Sequence, residues 1–376
     1  MRRSGRGSAP ASRWAAAGLL LAFLALAPGP VRAAVSGPCS NCHTMHNSQN
    51  AEPMAWVYSG SSKVADATPN ANLLITDCIG CHSSADGSSW KDSVSGAPVV
   101  FSMAEPSFGA TADGSTHQGL AAGNFYWVTQ DDTFGHNIFS DDVNLDTAPG
   151  KSTGCSGNAC HENLDQAYVG GGTLNGKSAC LGCHMVSDSV TSWHHAKDPD
   201  ALVNSADQGW YRFLGGHMSG EGLGVAGIED DDWEHEPSSS VHNEYLGQEG
   251  DKTGAGGFAA AGNTVSAFCT GCHGNFHIQD TTTAGSSPWL RHPSDAPLPS
   301  SGEFSDYVTY DPLIPVARPA LSGVSSTVTP GSDMVMCLSC HRAHASPYYK
   351  MLRWDYRSTT LATALAGCGI CHTRKQ

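Results

Sequence analysis

Cys337-Leu-Ser-Cys340-His341-Arg-Ala-His344 is the stretch that decides how this chain folds. Its two thiols lie about one helical turn apart. That separation lets them add to the two vinyl groups of one haem, and the next residue can turn its imidazole to the iron. The same Cys-x-x-Cys-His unit recurs at Cys39/Cys42/His43, Cys78/Cys81/His82, Cys180/Cys183/His184, Cys269/Cys272/His273 and Cys368/Cys371/His372. A seventh unit, Cys155-Ser-Gly-Asn-Ala-Cys160-His161, has a wider loop that can still span the vinyls. Together the seven consume all 14 cysteines. Zinc ribbons use Cys-x-x-Cys pairs without needing a trailing His, and disulfide frameworks need none either. With 18 His in 376 residues, a His after every pair is not chance. The chain is therefore expected to carry seven covalent haems c, with His43, His82, His161, His184, His273, His341 and His372 as proximal ligands.

Composition agrees with a haem-filled interior. There are 43 Gly and 20 Pro, and only 15% of residues are charged, which argues against a helical bundle or a coiled coil. The expected fold is mostly irregular coil, with short α-helices and few short strands wrapped around porphyrins. The motif histidines are unevenly spaced, so no solenoid repeat is expected. Short helices are predicted around the motifs, notably over 334–346, with Asp333 as cap, and over 360–372.

Residues 1–33 read as a secretory signal peptide: Arg2, Arg3, Arg6 and Arg13, an apolar run over 15–27, then Val31-Arg32-Ala33 before the cut. The run is too short to span a bilayer, and no later segment is apolar enough to do so. The mature chain is expected to be one cytochrome domain, 34–376. Removing 1–33 takes away five arginines and no acid, so the formal charge of −15 becomes −20. An acidic, exported chain excludes nucleic-acid binding and polybasic membrane attachment. Acidic runs such as Asp131-Asp132 and 229–232 are read as solvated loops rather than calcium sites. No Gly-x-Gly-x-x-Gly loop follows an evident strand.

Seven irons need seven distal ligands, and 11 histidines remain outside the motifs. His46 and His344 follow their proximal His by three residues and His277 by four. If each motif opens a helix, these imidazoles share a face with the proximal one and can reach only a different haem. His136 (after Phe134-Gly135) and His292 (before Pro293) sit in rigid loop segments, and His217 follows Gly215-Gly216. His194 and His195 are adjacent, and His195 is preferred. The distal candidates are thus His46, His136, His195, His217, His277, His292 and His344. His194, His242 and His117 are held in reserve, and His235 reads as a surface residue.

The surroundings of the motifs go further. Cys39-Ser-Asn-Cys-His-Thr-Met-His46, Gly135-His-Asn-Ile138, Trp210-Tyr-Arg-Phe-Leu-Gly-Gly216, Leu290-Arg-His-Pro293 and Cys337-Leu-Ser-Cys-His-Arg-Ala-His-Ala-Ser346 resemble the outer-surface multihaem cytochromes of metal-reducing bacteria. The likeness is strongest to a six-haem type that polymerises into conductive filaments. It departs at the added Cys155/Cys160/His161 unit and after Cys183-His184, where Met185-Val-Ser187 stands. The resemblance implies closely packed bis-His haems and head-to-tail assembly. It also implies that His46 enters the distal site of the His341 haem in the next subunit.

The reading that follows is a non-catalytic electron carrier, a subunit of an extracellular filament. It would work with redox partner cytochromes and external electron acceptors. A monomeric periplasmic or outer-surface carrier is one alternative. A multihaem reductase of nitrite, hydroxylamine or a sulfur oxyanion is another, which would need an iron with an open distal face.

Overall fold

The computed structural model describes residues 1, 44–49, 51–53, 56–59, 62–65, 67, 69, 78–93, 96–106, 108–110, 116–117, 120–136, 138, 180, 183–184, 202–205, 208–215, 224–249, 262–269, 273 and 292–374. Regular structure is sparse and short. Hairpins pair β1 (Ser48–Gln49) with β2 (Glu52–Pro53) and β3 (Trp56–Ser59) with β4 (Ser62–Ala65). The helix α1 (Cys78–Cys81) carries one motif, followed by β5 (Ser83–Ser84), which runs parallel to β6 (Phe101–Ser102). Beyond them β7 (Phe108–Ala110) pairs with β8 (Thr116–His117).

A six-stranded sheet forms the frame of the second half. It contains β9 (Leu202–Val203), β10 (Gly227–Ile228), β11 (Glu244–Leu246), β12 (Ala296–Pro297), β13 (Ala317–Arg318) and β14 (Met334–Val335). Its order is β12-β14-β13-β11-β10-β9, and only β11 and β13 run parallel. Strands of two or three residues bury too little to stand alone. They are locked by a buried ionic network: Glu244 on β11 takes the Arg318 guanidinium at 2.9 Å, and Arg318 also binds Asp333 just before β14.

The helical expectation over 334–346 fails at both ends. Residues 334–335 form β14, and α2 is only Cys337–Cys340. His341 leaves the helix with φ −114°, ψ 154°. Asp333 does not cap α2; its carboxylate holds Arg318 and the Thr329 amide instead. The second expectation fares better, as α3 (Leu361–Ala364) and α4 (Ala366–Cys371).

Among the described residues, apolar side chains gather into three separate clusters rather than one core. The first packs Tyr211, Val225, Tyr245, Phe268 and Met336 with Cys183 and Cys269. The second packs Leu298, Tyr307, Tyr310, Val316 and Trp354 with Cys340, Cys368 and Cys371. The third packs Phe101, Phe125, Val128 and Ala345 with Ile79 and Cys180. Each small cluster is bordered by motif cysteines. No helix among the described residues is long and apolar enough to cross a membrane.

Candidate haem-binding site

The motif cysteines of successive units meet in these clusters. Ile79, between the thiols of α1, shares the third cluster with Cys180. Cys183 and Cys269 share the first, and the Cys269 and Cys337 side chains lie beside each other. Cys340 meets Cys368 and Cys371 in the second. The units at 78, 180, 269, 337 and 368 therefore follow one another in space as they do in the chain.

Four of the described proximal imidazoles are oriented through Nδ1. That nitrogen lies 2.9 Å from the Pro98 carbonyl in His82, 2.7 Å from the Arg212 carbonyl in His184 and 2.8 Å from the Lys350 carbonyl in His341. In His372 it lies 2.9 Å from the Glu303 carboxylate. Acceptors there fix the N–H on Nδ1 and leave Nε2 to a metal. Two of the acceptors share a device. Tyr211-Arg212-Phe213 and Tyr349-Lys350-Met351 are both tight turns kinked at the cation, with Arg212 at φ 47° and Lys350 at φ 61°. Left-handed backbone at a non-glycine residue costs about 1–3 kcal/mol. Here it turns a carbonyl onto an imidazole.

Two distal candidates are presented by one small construction. The 343–346 segment lies between 122–124 and 134–136, joined by His344 N to Ala122 O (2.7 Å), His136 N to His344 O (3.1 Å) and Ser346 N to Phe134 O (2.9 Å). Gly123 and Gly135 flank Ala345 so closely that a Cβ on Gly135 would lie 2.5 Å from the Ala345 methyl. His136 Nδ1 lies 2.9 Å from Ala343 O. Phe125 stacks on the His344 ring at 4.5 Å.

Three proximal histidines face a candidate distal one. Ring centres are 6.0 Å apart for His136 and His273, 6.0 Å for His184 and His344, and 6.4 Å for His292 and His372. A metal–imidazole bond of about 2.0 Å plus roughly 1.1 Å to the ring centre would put two imidazoles on opposite sides of one metal about 6.2 Å apart. The three spacings fit one iron between each pair of rings. Burial holds His82, His136, His184, His273 and His341 below the ordinary imidazole value. It pushes His344 down to about 3, helped by the charges of His184 and His136. Neutral imidazole is the ligating form.

Two buried arginines fit the haem as well. Arg342 donates to the Leu120 and Ala121 carbonyls, while its Nε, buried, has no partner. Arg353 donates to the Leu313 and Pro312 carbonyls. Burial, and then the Arg353 charge, bring Arg342 down to about 9. Cations buried without a carboxylate are costly, and haem propionates are anions of the right kind. Sequence reasoning missed both arginines; the only signal was the place of Arg342 right after His341.

Other expectations are corrected. His46 does not lie on a helix continuing its motif: it is exposed, at φ 50°, in the turn before β1. The shared-face premise fails for His344 too, because α2 ends before His341, yet His344 does face the proximal His of another unit. His242 is no reserve ligand. Its Nδ1 meets Ser238 O at 2.9 Å and its Nε2 meets Glu244 at 3.2 Å, so both nitrogens are engaged. His117 is on β8, and His235 stacks on Trp90 at 4.6 Å. Cys39, Cys42, His43, Cys155, Cys160, His161, Cys272, His194, His195, His217 and His277 lie outside the described residues. Among those described, no group of three or more His, Cys, Asp or Glu is arranged to hold a metal ion by itself.

Comparison with known proteins converges on the same chemistry. Residues 329–376 match the family model of the doubled CXXCH motif. The C-type cytochrome OmcS of Geobacter sulfurreducens is 26% identical over 384 residues, covering 87% of this chain and 81% of OmcS. Two solved structures, the Outer Membrane Cytochrome S filament and the OmcS nanowires from Geobacter sulfurreducens, match 92% of this chain and the whole of theirs. Their identities are 18% and 19%, with TM-scores of 0.47 and 0.41.

Proposed function

We propose that this chain, a multihaem c-type cytochrome similar to OmcS, carries electrons through seven covalent haems as the subunit of an extracellular filament that serves external acceptors. The observation that carries the reading is the set of three imidazole pairs at 6.0–6.4 Å, each centred on a motif histidine. In it His136 ligates opposite His273, His344 opposite His184 and His292 opposite His372. His195 (or His194), His217 and His277 serve other irons, and His46 serves the His341 haem of the next copy. Residues 1–33 direct export and are removed, leaving 34–376; the outer surface is preferred over the periplasm.

When bound, haem supplies a one-electron couple, and the chain's residues tune and space it. Motif thiols anchor each porphyrin. The Nδ1 acceptors Pro98, Arg212, Lys350 and Glu303 hold the proximal rings, while Arg342 and Arg353 meet propionates. The meeting of Cys180, Cys183, Cys269, Cys337, Cys340 and Cys368 across shared clusters keeps successive haems adjacent, as electron hopping needs. Imidazoles on both faces leave no iron for substrate in the body of the filament, which supports a carrier over a reductase.

Denaturing mass spectrometry of the exported protein is expected to give 34–376 plus seven haems. Six haems with two alkylatable thiols would remove the Cys155/Cys160 site. His46→Ala is expected to keep every haem, to lose or weaken polymerisation under negative-stain microscopy, and to show one high-spin iron per dispersed subunit. Normal filaments with all irons low-spin in that variant would sink the filament reading.

A further inference from the structure

Two proximal imidazoles rest on the carbonyls of kinked cationic turns, yet the two cations differ. Lys350 is exposed, and its ammonium lies over the adjacent Tyr349 ring. The Arg212 guanidinium turns inward instead. It donates to the Asp230 carbonyl at 2.5 Å and to Asn243 Oδ1 at 2.9 Å, with the Glu229 carboxylate 3.9 Å away. The Arg212 amide also donates to Glu229. One residue thus ties the His184 ring, held at Nδ1 by the Arg212 carbonyl, to the acidic turn over 229–236.

That turn sets a single guanidinium against several carboxyls. The Asp230 carboxylate takes the Glu234 amide at 2.9 Å, Glu234 takes the Asn243 amide at 2.8 Å, and Asp232 takes the His235 amide at 3.1 Å. Asp230 and Asp232 lie beside each other, Asp230 buried and Asp232 half-buried next to exposed Asp231, which opens the pair to solvent. Around them stand Arg212, Glu229, Glu234 and Glu236, with His235, which burial holds below the ordinary imidazole value. From the segment packed outside, Lys91 lies over Trp90, which stacks on His235. Two carboxyls in contact favour holding one proton between them. Burial, and then the hydrogen bond with Asp232, bring Asp230 to about 7, while Asp232 is lowered.

We infer that the Asp230–Asp232 pair is a redox-linked proton site, which takes up a proton when the haem held by His184 gains an electron and returns it on oxidation. The inference rests on the reading in which His184 ligates a haem. A partner cytochrome supplies the electron, which turns ferric iron ferrous. Water supplies the proton, which forms an O–H bond on one carboxylate, so the local charge is unchanged. Coupling is reciprocal: if the electron tightens the hold on the proton, the proton tightens the hold on the electron. The potential of that haem therefore rises as pH falls through about 7.

Redox-difference infrared spectroscopy of the haem-loaded protein at neutral pH tests this. Reduction of the native protein is expected to bring up the carbonyl stretch of a protonated carboxyl, shifted down in D2O. Asp230→Asn and Asp232→Asn are each expected to lose that band while every haem still reduces. Stepping the potential assigns the haem. His344→Met places a thioether opposite His184, which raises the potential of that iron, and the midpoint of the carboxyl band is expected to rise with it. A band that survives both aspartate variants belongs to a haem carboxylate and overturns the inference. So does a native protein that reduces without the band, or a band whose midpoint stays put while one iron's moves. Each of these leaves the ligation reading standing. If neither His184→Ala nor His344→Met alters any iron, the ligation reading itself fails.

Discussion

At the scale of single residues, the acids that balance each other tell apart from those that do not. Glu229, Asp230 and Glu234 are all buried within one short turn region beside Arg212 and Asn243. Burial, and then a shared hydrogen bond with Asp232, push Asp230 up to about 7, while Asp232 is lowered. A folded value above the unfolded one means that the native state keeps a proton the unfolded chain gives up. Stability from Asp230 is therefore present at low pH and is lost as pH rises from about 4 through about 7. Asp230→Asn removes the titration, still accepts the Glu234 amide that Asp230 holds at 2.9 Å, and can donate to Asp232. Its gain over the native protein should be small at pH 4.5 and on the order of 1 kcal/mol at pH 8 once the opposite shift of Asp232 is set against it. Thermal melts at the two pH values check this; an equal gain at both would exclude the proton as the cause.

At the scale of elements, the 343–346 segment wedged between 122–124 and 134–136 aims two imidazoles at two different proximal histidines. Gly135 is extended at φ −175°, a conformation open to any residue, so its role is space: its Cα faces the His344 carbonyl and the Ala345 methyl. Gly135→Ala is expected to cost about 1–3 kcal/mol by overpacking and to displace His136 and His344 together. Its spectrum should show two weakened low-spin irons. A single perturbed iron would mean that the two imidazoles are held independently. The sequence alone made the Cys-x-x-Cys-His units and the mostly irregular fold readable, because two thiols and an imidazole at fixed spacing admit few other chemistries. It could not show that α2 stops at Cys340, since the turn away from helix at His341 answers a carbonyl at Lys350, nine residues on. Nor could it show Arg212 and Lys350 in left-handed turns, because no residue type there signals it. The engagement of His242 by Glu244 likewise depends on the distant Arg318 and on Ser325, which bind the same carboxylate.

At the scale of the whole molecule, charge sets how copies can meet. The chain has 35 acidic and 20 basic residues, and five of the arginines lie in 1–33. Without that segment the protein carries −20, before any haem propionates are counted. The cations that remain are partly spent inside: Arg318 is bound by Glu244 and Asp333, while Arg342 and Arg353 are buried. On the proposed filament reading, copies stacked head to tail would repel one another over their length, and ligation and apolar packing rather than surface ion pairs would carry the contact. Screening shortens that repulsion, from a Debye length of about 30 Å at 0.01 M salt to about 8 Å at 0.15 M. Polymer is therefore expected to lengthen as salt rises from 10 mM to 500 mM, and reduction, which adds one negative charge per iron, should increase the sensitivity. Light scattering and electron micrographs across that range measure it. Filaments that dissolve as salt rises would show instead that complementary ion pairs join the copies, and that the acidic body of one subunit is matched by a basic face on the next.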